Sequence, residues 1–192
     1  MAEEPPESVA LDEVILRRIS TRVMDGSRSL SRELFEWSLA ASMRGSRVPH
    51  FVAVHAVDDV EPGLYRWPSL EVPVRAGNLR DELFRVSIEQ ELTRDASFVV
   101  IAAADLDPLD DRGYRDAQFG AGLVSGRLHL AAFALGAGAT GMTFVDAEIP
   151  ALLGEPLAAL LLTCVGVPTY RHRAGGGPGA PTMMRPLKRP RP

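Results

Sequence analysis

The chain has 192 residues, 46% of them apolar and 24% charged, with a formal net charge of −4. That length covers one core and leaves little for a second, and the acidic balance excludes a generic nucleic-acid binder, which needs a broad basic surface. Cys164, the single cysteine, cannot close an internal disulfide, and no basic-then-apolar leader opens the sequence, so a cytoplasmic protein is expected.

Residues 1–7, acidic and Pro-containing, are expected to form a flexible lead, followed by a single domain over 8–173. Val9, Leu11, Val14, Ile15 and Leu16 recur at helical spacing behind Ser8 as cap, predicting a helix that ends near Ser20. A second helix is predicted over Ser27–Met43, with Ser29 or Ser31 as cap and Leu34, Phe35, Leu39 and Met43 on one face. His50–Val57 reads as a strand and Gly63–Trp67 as its hairpin partner. Gly77–Leu92 reads as one helix with Leu79, Leu83, Phe84 and Ile88 on a stripe and Asn78 as candidate cap; SFVVIAAAD then suits a central buried strand.

The longest helix is predicted from about Arg112 to Leu135. No carboxylate, lysine or arginine falls between Arg127 and Asp146, but His129, glycines and threonines interrupt the stretch, so a buried core helix is expected rather than a membrane span. Each of Gly120, Gly122 and Gly126 costs about 1 kcal/mol relative to alanine in a helix, which makes sense where something must come close. ATGMTF reads as a strand, DAEIPALLG as a short helix, AALLLTCVGVP as a second buried strand, and 174–192 as a Gly/Pro-rich tail. The order is that of an α+β or α/β protein without internal repeats.

Four features carry potential chemistry. GAGATG satisfies G-x-G-x-x-G literally, but a dinucleotide fingerprint leaves a strand and opens a helix, whereas here a helix ends and a strand follows. A helix C-cap, with Gly136 or Gly138 in the left-handed conformation, is expected instead. The four histidines are scattered and the acidic loop Asp105–Asp111 lacks the glycine and glutamate of a calcium loop, so no metal site is expected. In RRISTR, guanidinium groups, a hydroxyl and free backbone groups converge at a helix end, which suits a phosphate held by forked donors. Lys188 is the one lysine, so no lysine chemistry is available in the body of the domain.

RRISTRVMD, GLYRW and RGYRDAQFGAGLVSGRLHLAAFALGAGATGMTFVDAEIPALLG, in this order between Val9 and Pro168, together resemble the FMN-dependent nitroreductase superfamily, and within it the peptide-azoline dehydrogenase (SagB-type) branch. The resemblance implies an α+β nitroreductase-like three-layer fold: a central, mostly antiparallel sheet flanked by helices, in a domain-swapped homodimer with FMN at the interface. It implies that Arg18, Ile19, Ser20 and Arg22 bind the FMN phosphate, ribityl and pyrimidine edge. Gly141, Met142, Thr143 and Phe144 would lie along the flavin ring near N5, and Arg185, with Lys188 or Arg171 as substitutes, would complete the phosphate site. The implied activity is hydride transfer through flavin N5, with NAD(P)H as transient electron donor and a small-molecule or peptide substrate, including dehydrogenation of a peptide or heterocyclic intermediate; no nucleic-acid or membrane partner is implied.

Two departures stand out. The loop before the first central strand, MRGSRVPHF, has no Asn or Gln to offer an amide, so Ser46 or Arg47 would substitute. The branch's Lys-Tyr acid–base pair has no lysine here, leaving Tyr114 as its tyrosine half. These departures define the alternative: a pseudoenzyme or partner subunit of this fold that has lost full flavin chemistry.

Overall fold

The computed structural model describes residues 10–170. The lead over 1–7, the Ser8 cap, Arg171, Arg185, Lys188 and the tail lie outside the described residues.

Helix α1 (Leu11–Arg17) stops three residues short of the expected end, because Arg18 is already extended (φ −64°, ψ 140°). Tertiary pairing overrides helical propensity here: Ser20 forms a parallel bridge with Ala139, and the Thr21 N–H donates to the Ala139 carbonyl at 2.9 Å. Helix α2 (Arg32–Met43) is capped by Ser31, whose Oγ accepts the Leu34 N–H at 3.2 Å, and buries the predicted stripe. Ser29 instead turns its hydroxyl to Asp58.

Strands β1 (His50–Val54) and β2 (Gly63–Arg66) pair antiparallel as expected, and β2 is flanked by a two-residue edge strand, β3 (Arg75–Ala76). That edge strand is too short to leave a period in the sequence. The single helix expected over Gly77–Leu92 is two: α3 (Arg80–Val86) and α4 (Glu91–Asp95). Ile88 and Glu89 break it with φ of 59° and 55°. Polar side chains stabilise the corner, Gln90 donating to the Ser87 carbonyl at 2.9 Å and Ser87 and Thr93 sharing a buried hydroxyl bond at 2.6 Å. Asn78 serves the helix start, its Oδ1 accepting the Arg80 N–H at 2.9 Å.

The continuous apolar runs are central strands. β4 (Phe98–Ala104) is buried throughout, and β6 (Ala158–Gly166) nearly so. Between them come α5 (Asp111–Ala134), capped by Asp110 accepting the Gly113 N–H at 2.7 Å, then β5 (Gly138–Met142) and α6 (Ile149–Leu153). Gly136, at φ 81°, is the left-handed residue that ends the α5 region, so the glycine run is a helix stop followed by a strand.

The six strands form one sheet, β3-β2-β1-β4-β6-β5, in which every neighbouring pair is antiparallel. Alternation sorts their side chains into two cores. Phe51, Ala53, Val99, Ile101 and Leu162 face the layer of α3 and α6, while Val52, Val54, Phe98, Val100 and Val165 face α2 and α5. The result is a three-layer α+β fold with β5 at one edge. Gly120 of α5 receives Val48 closely, but an added Cβ at Gly122 or Gly126 would meet nothing within 4 Å, so those two glycines face away from this chain's own packing. No helix among the described residues is long and apolar enough to cross a membrane.

Candidate functional site

The edge of β5 is where the two distant motifs meet. After α1 the chain meets this edge at Ser20 and Thr21, both paired with Ala139. Beyond them Met24 pairs with Pro168, and the Asp25 N–H donates to the Val167 carbonyl at 2.8 Å. The close approach at Thr21 requires glycine at position 138: a Cβ there would overlap Thr21 Oγ1 and stand 3.0 Å from its Cβ. Thr21 itself is fully buried with its Oγ1 unpartnered. Sequence reading passed over Thr21; its place inside RRISTR was the available signal.

The parallel bridge sets the register. From Ser20 the chain passes Gly138 at Thr21 and reaches Pro168 at Met24, so residues 21–25 lead away from Gly141, and the arginine motif meets the β5 edge at Ala139, two residues before the segment GMTF. The Arg22 N–H donates to the Tyr170 hydroxyl at 2.9 Å, a contact the sequence did not reveal. Among the described residues neither Arg18 nor Arg22 has a carboxylate within salt-bridge distance, and both are exposed. Ile19 is exposed too, and Ser20 half-buried. Gly141 is exposed, with only the Leu162 carbonyl, at 3.9 Å, near the place of a Cβ. Thr143 is exposed, whereas Met142 and Phe144 turn into the core. Two exposed cations and a hydroxyl in the segment that meets the β5 edge suit an anionic group such as the phosphate of FMN.

His129 of α5 stands on the same side. Its Nδ1–H donates to the Ser125 carbonyl at 2.8 Å, which leaves Nε2 as an acceptor. Burial holds its pKa below the ordinary histidine value, and the nearby Arg18 charge adds to that.

Ser46 and Tyr114 lie elsewhere. Ser46 borders a cavity of about 450 Å³ between the α2–β1 loop, the end of β4 and the first half of α5; no residue of the arginine motif lines it. Its Oγ accepts the Val48 N–H at 3.3 Å. Tyr114, 45% exposed near the start of α5, accepts a hydrogen bond from Gln118 Nε2 at 3.0 Å and borders neither described cavity. Cys164 is fully buried, which pushes its thiol pKa up and fits a core residue. Among the described residues no cluster of His, Cys, Asp or Glu is placed to hold a metal ion.

No protein-family model and no curated protein matches the sequence. Solved structures do match. A candidate nitroreductase from Anabaena variabilis is 29% identical with a TM-score of 0.76, over 82% of this chain and 38% of that one. Nitroreductase A from Vibrio parahaemolyticus is 17% identical with a TM-score of 0.65, over 93% and 77% of the two chains. The NADPH:FMN oxidoreductase of Vibrio harveyi, solved with NAD+, is 18% identical with a TM-score of 0.63, over 93% and 79%. The present chain thus spans well under half the length of the Anabaena protein. It carries the nitroreductase-like fold, which it shares with these two nitroreductases and this NADPH:FMN oxidoreductase.

Proposed function

We propose that the chain is an FMN-dependent oxidoreductase of the nitroreductase type. The observation that carries this reading is the Ser20–Ala139 bridge, which holds the motif bearing Arg18 and Arg22, both without carboxylate partners among the described residues, against the β5 edge. Oxidoreductases that use FMN and nicotinamide share the fold, and the sequence likeness favours the peptide-azoline dehydrogenase branch, hence a peptide or heterocyclic substrate.

Bound at this edge, FMN would supply two-electron hydride chemistry at N5, with NAD(P)H as its donor. Arg18 and Arg22 would neutralise the phosphate and the electron-rich pyrimidine edge by forked, charge-assisted hydrogen bonds. Ser20 would donate its hydroxyl to the same anionic end, and Gly141 and Thr143 would offer backbone groups to the ring edge without a side chain in the way. Met142 and Phe144 would hold that strand end by packing into the core. Arg185 would close the phosphate end.

The working unit in this proposal is a cytoplasmic homodimer. Exposed apolar side chains support it: Leu11, Ile15, Leu16 and Ile19 on and just after α1, and Phe119 and Leu123 on α5, the last two flanking the open Gly122. Purified protein should show a flavin absorption band or take up FMN on reconstitution. Arg22→Ala should weaken FMN retention at least tenfold, since one charge-assisted hydrogen bond contributes about 1.5–3 kcal/mol. Unchanged flavin occupancy in that variant would sink the site assignment. The lack of an Asn or Gln in the α2–β1 loop favours the second reading, a partner subunit without flavin chemistry; a protein that takes up no FMN would decide for it.

A further inference from the structure

Beyond Thr21 the arginine motif changes partner. It leaves β5 and pairs in antiparallel step with the segment that follows β6. The Asp25 N–H donates to the Val167 carbonyl at 2.8 Å, Met24 bridges Pro168, and the Thr169 N–H donates to the Val23 carbonyl at 3.3 Å. The next pair in this register is Arg22 with Tyr170, and there a side chain takes the place of the backbone: the Arg22 N–H donates to the Tyr170 hydroxyl at 2.9 Å. Arg22 is exposed, and among the described residues its guanidinium has no carboxylate within salt-bridge distance.

The polar residues of the motif are thus fixed by three different contacts. Arg18 is held by α1, its N–H donating to the Val14 carbonyl at 2.8 Å, and Ser20 by its bridge to Ala139. Arg22 is held by Tyr170, the one contact of the three that depends on a side-chain group, and it joins residues 148 apart in the chain. The half-buried phenol reaches the N–H on two torsions, so ordering it costs less than ordering a long flexible side chain. A backbone fixed in this way removes part of the ordering cost that the Arg22 guanidinium would otherwise meet on taking an anion.

We propose that Tyr170 is a positioning residue for the arginine motif: its hydroxyl holds the Arg22 backbone so that the Arg22 guanidinium stands ready for the bound anion. The inference rests on the flavin reading above for that anion being FMN; the latch itself is a property of this chain. FMN titration of the full-length protein and of Tyr170→Phe, Arg22→Ala and the double variant tests it, together with exchange of the Arg22 amide proton in the parent and in Tyr170→Phe. One hydrogen bond commands about threefold to tenfold in affinity, so Tyr170→Phe should weaken FMN binding by about that factor. The same substitution should have no further effect in the Arg22→Ala background, where the backbone bond to Tyr170 is kept and only the guanidinium is gone. The Arg22 amide should exchange faster in Tyr170→Phe than in the parent. Equal loss of FMN affinity in both backgrounds would make Tyr170 a merely structural residue and overturns the proposal, as does unchanged affinity or unchanged amide exchange in Tyr170→Phe. A parent protein that takes up no FMN rejects the flavin reading instead. The latch is then decided by the Arg22 amide alone, faster exchange in Tyr170→Phe upholding it and unchanged exchange overturning it.

Discussion

The register of the arginine motif depends on one missing methyl group, at Gly138. Building a Cβ there overlaps Thr21 Oγ1 and comes within 3.0 Å of Thr21 Cβ and Cγ2, and Thr21 cannot rotate away freely because it is fully buried. Gly138→Ala must therefore push residues 20–22 off the edge of β5, straining the bond from the Thr21 N–H to the Ala139 carbonyl. Overpacking of this kind costs about 1–3 kcal/mol, and loss of one backbone hydrogen bond adds about 1 kcal/mol. Urea denaturation should accordingly show a loss of about 2–4 kcal/mol with an unchanged m-value. Thr21→Gly opens the same space from the other side, so in the Gly138→Ala/Thr21→Gly double variant the two costs should fail to add, with a favourable coupling of about 1 kcal/mol or more. FMN retention should follow stability of the edge, falling in Gly138→Ala and recovering in part in the double variant. Additive costs, or a Gly138→Ala protein as stable as the parent, would refute the claim that Thr21 and Gly138 set the register.

Two other consequences are open to measurement. His55 is buried with its Nε2 unpartnered, and burial, reinforced by the Arg80 charge, lowers its pKa to about 4. The unfolded chain binds the proton more readily between about pH 4 and 6.5, so stability should rise with pH across that window and be fully present above it. The contribution is about 3 kcal/mol, measurable as the pH dependence of unfolding free energy and largely removed in His55→Gln. Phe119 is 73% exposed on α5, and Phe119→Asp should leave the unfolding free energy of the isolated chain within about 0.5 kcal/mol of the parent while shifting the solution mass from dimer to monomer; a dimer that persists would move the interface elsewhere.

Much of this architecture was legible because long apolar segments have few alternatives. The continuous run at Phe98–Ala104 is a strand buried on both faces, and the stripe of α2 packs as its spacing predicts. The nucleotide-like glycines were readable as a helix stop from element order alone, and Gly136 takes that part. What escaped was decided by non-local contact. Helix α1 ends early because Ser20 pairs with a strand 119 residues further along the chain, and no local propensity encodes that. The break between α3 and α4 places Ile88, a β-branched residue, at φ 59°, against its intrinsic preference. Of the candidate site, the arginine motif and the strand that leads into GMTF were both visible in sequence, but the pairing of Ser20 with Ala139 was not; Ser46 and Tyr114, which the resemblance adds to the site, do not share its place.

That separation bears on why a homodimer is the proposed working unit. Ser46 precedes β1, and across the sheet from β1 come β4, β6, β5 and then the arginine motif at the edge. Four steps of about 4.8 Å put roughly 19 Å between the two within one chain. A single flavin ring at Gly141 therefore lies beyond reach of its own subunit's Ser46 loop, so any hydroxyl or guanidinium that this loop gives to a flavin must come from a second copy. The exposed apolar faces of α1 and α5 lie where such a copy could close the gap, since α1 packs on α5 and α5 borders the Ser46 cavity. On this account the Phe119→Asp monomer should keep whatever FMN affinity the arginine edge supplies by itself and lose the part that depends on the loop. Substituting Ser46 and Arg47 should then weaken FMN binding in the dimer and have no effect in the Phe119→Asp background. Equal loss in both backgrounds would place the loop and the edge around the same flavin within one subunit, and would remove this argument for a composite site.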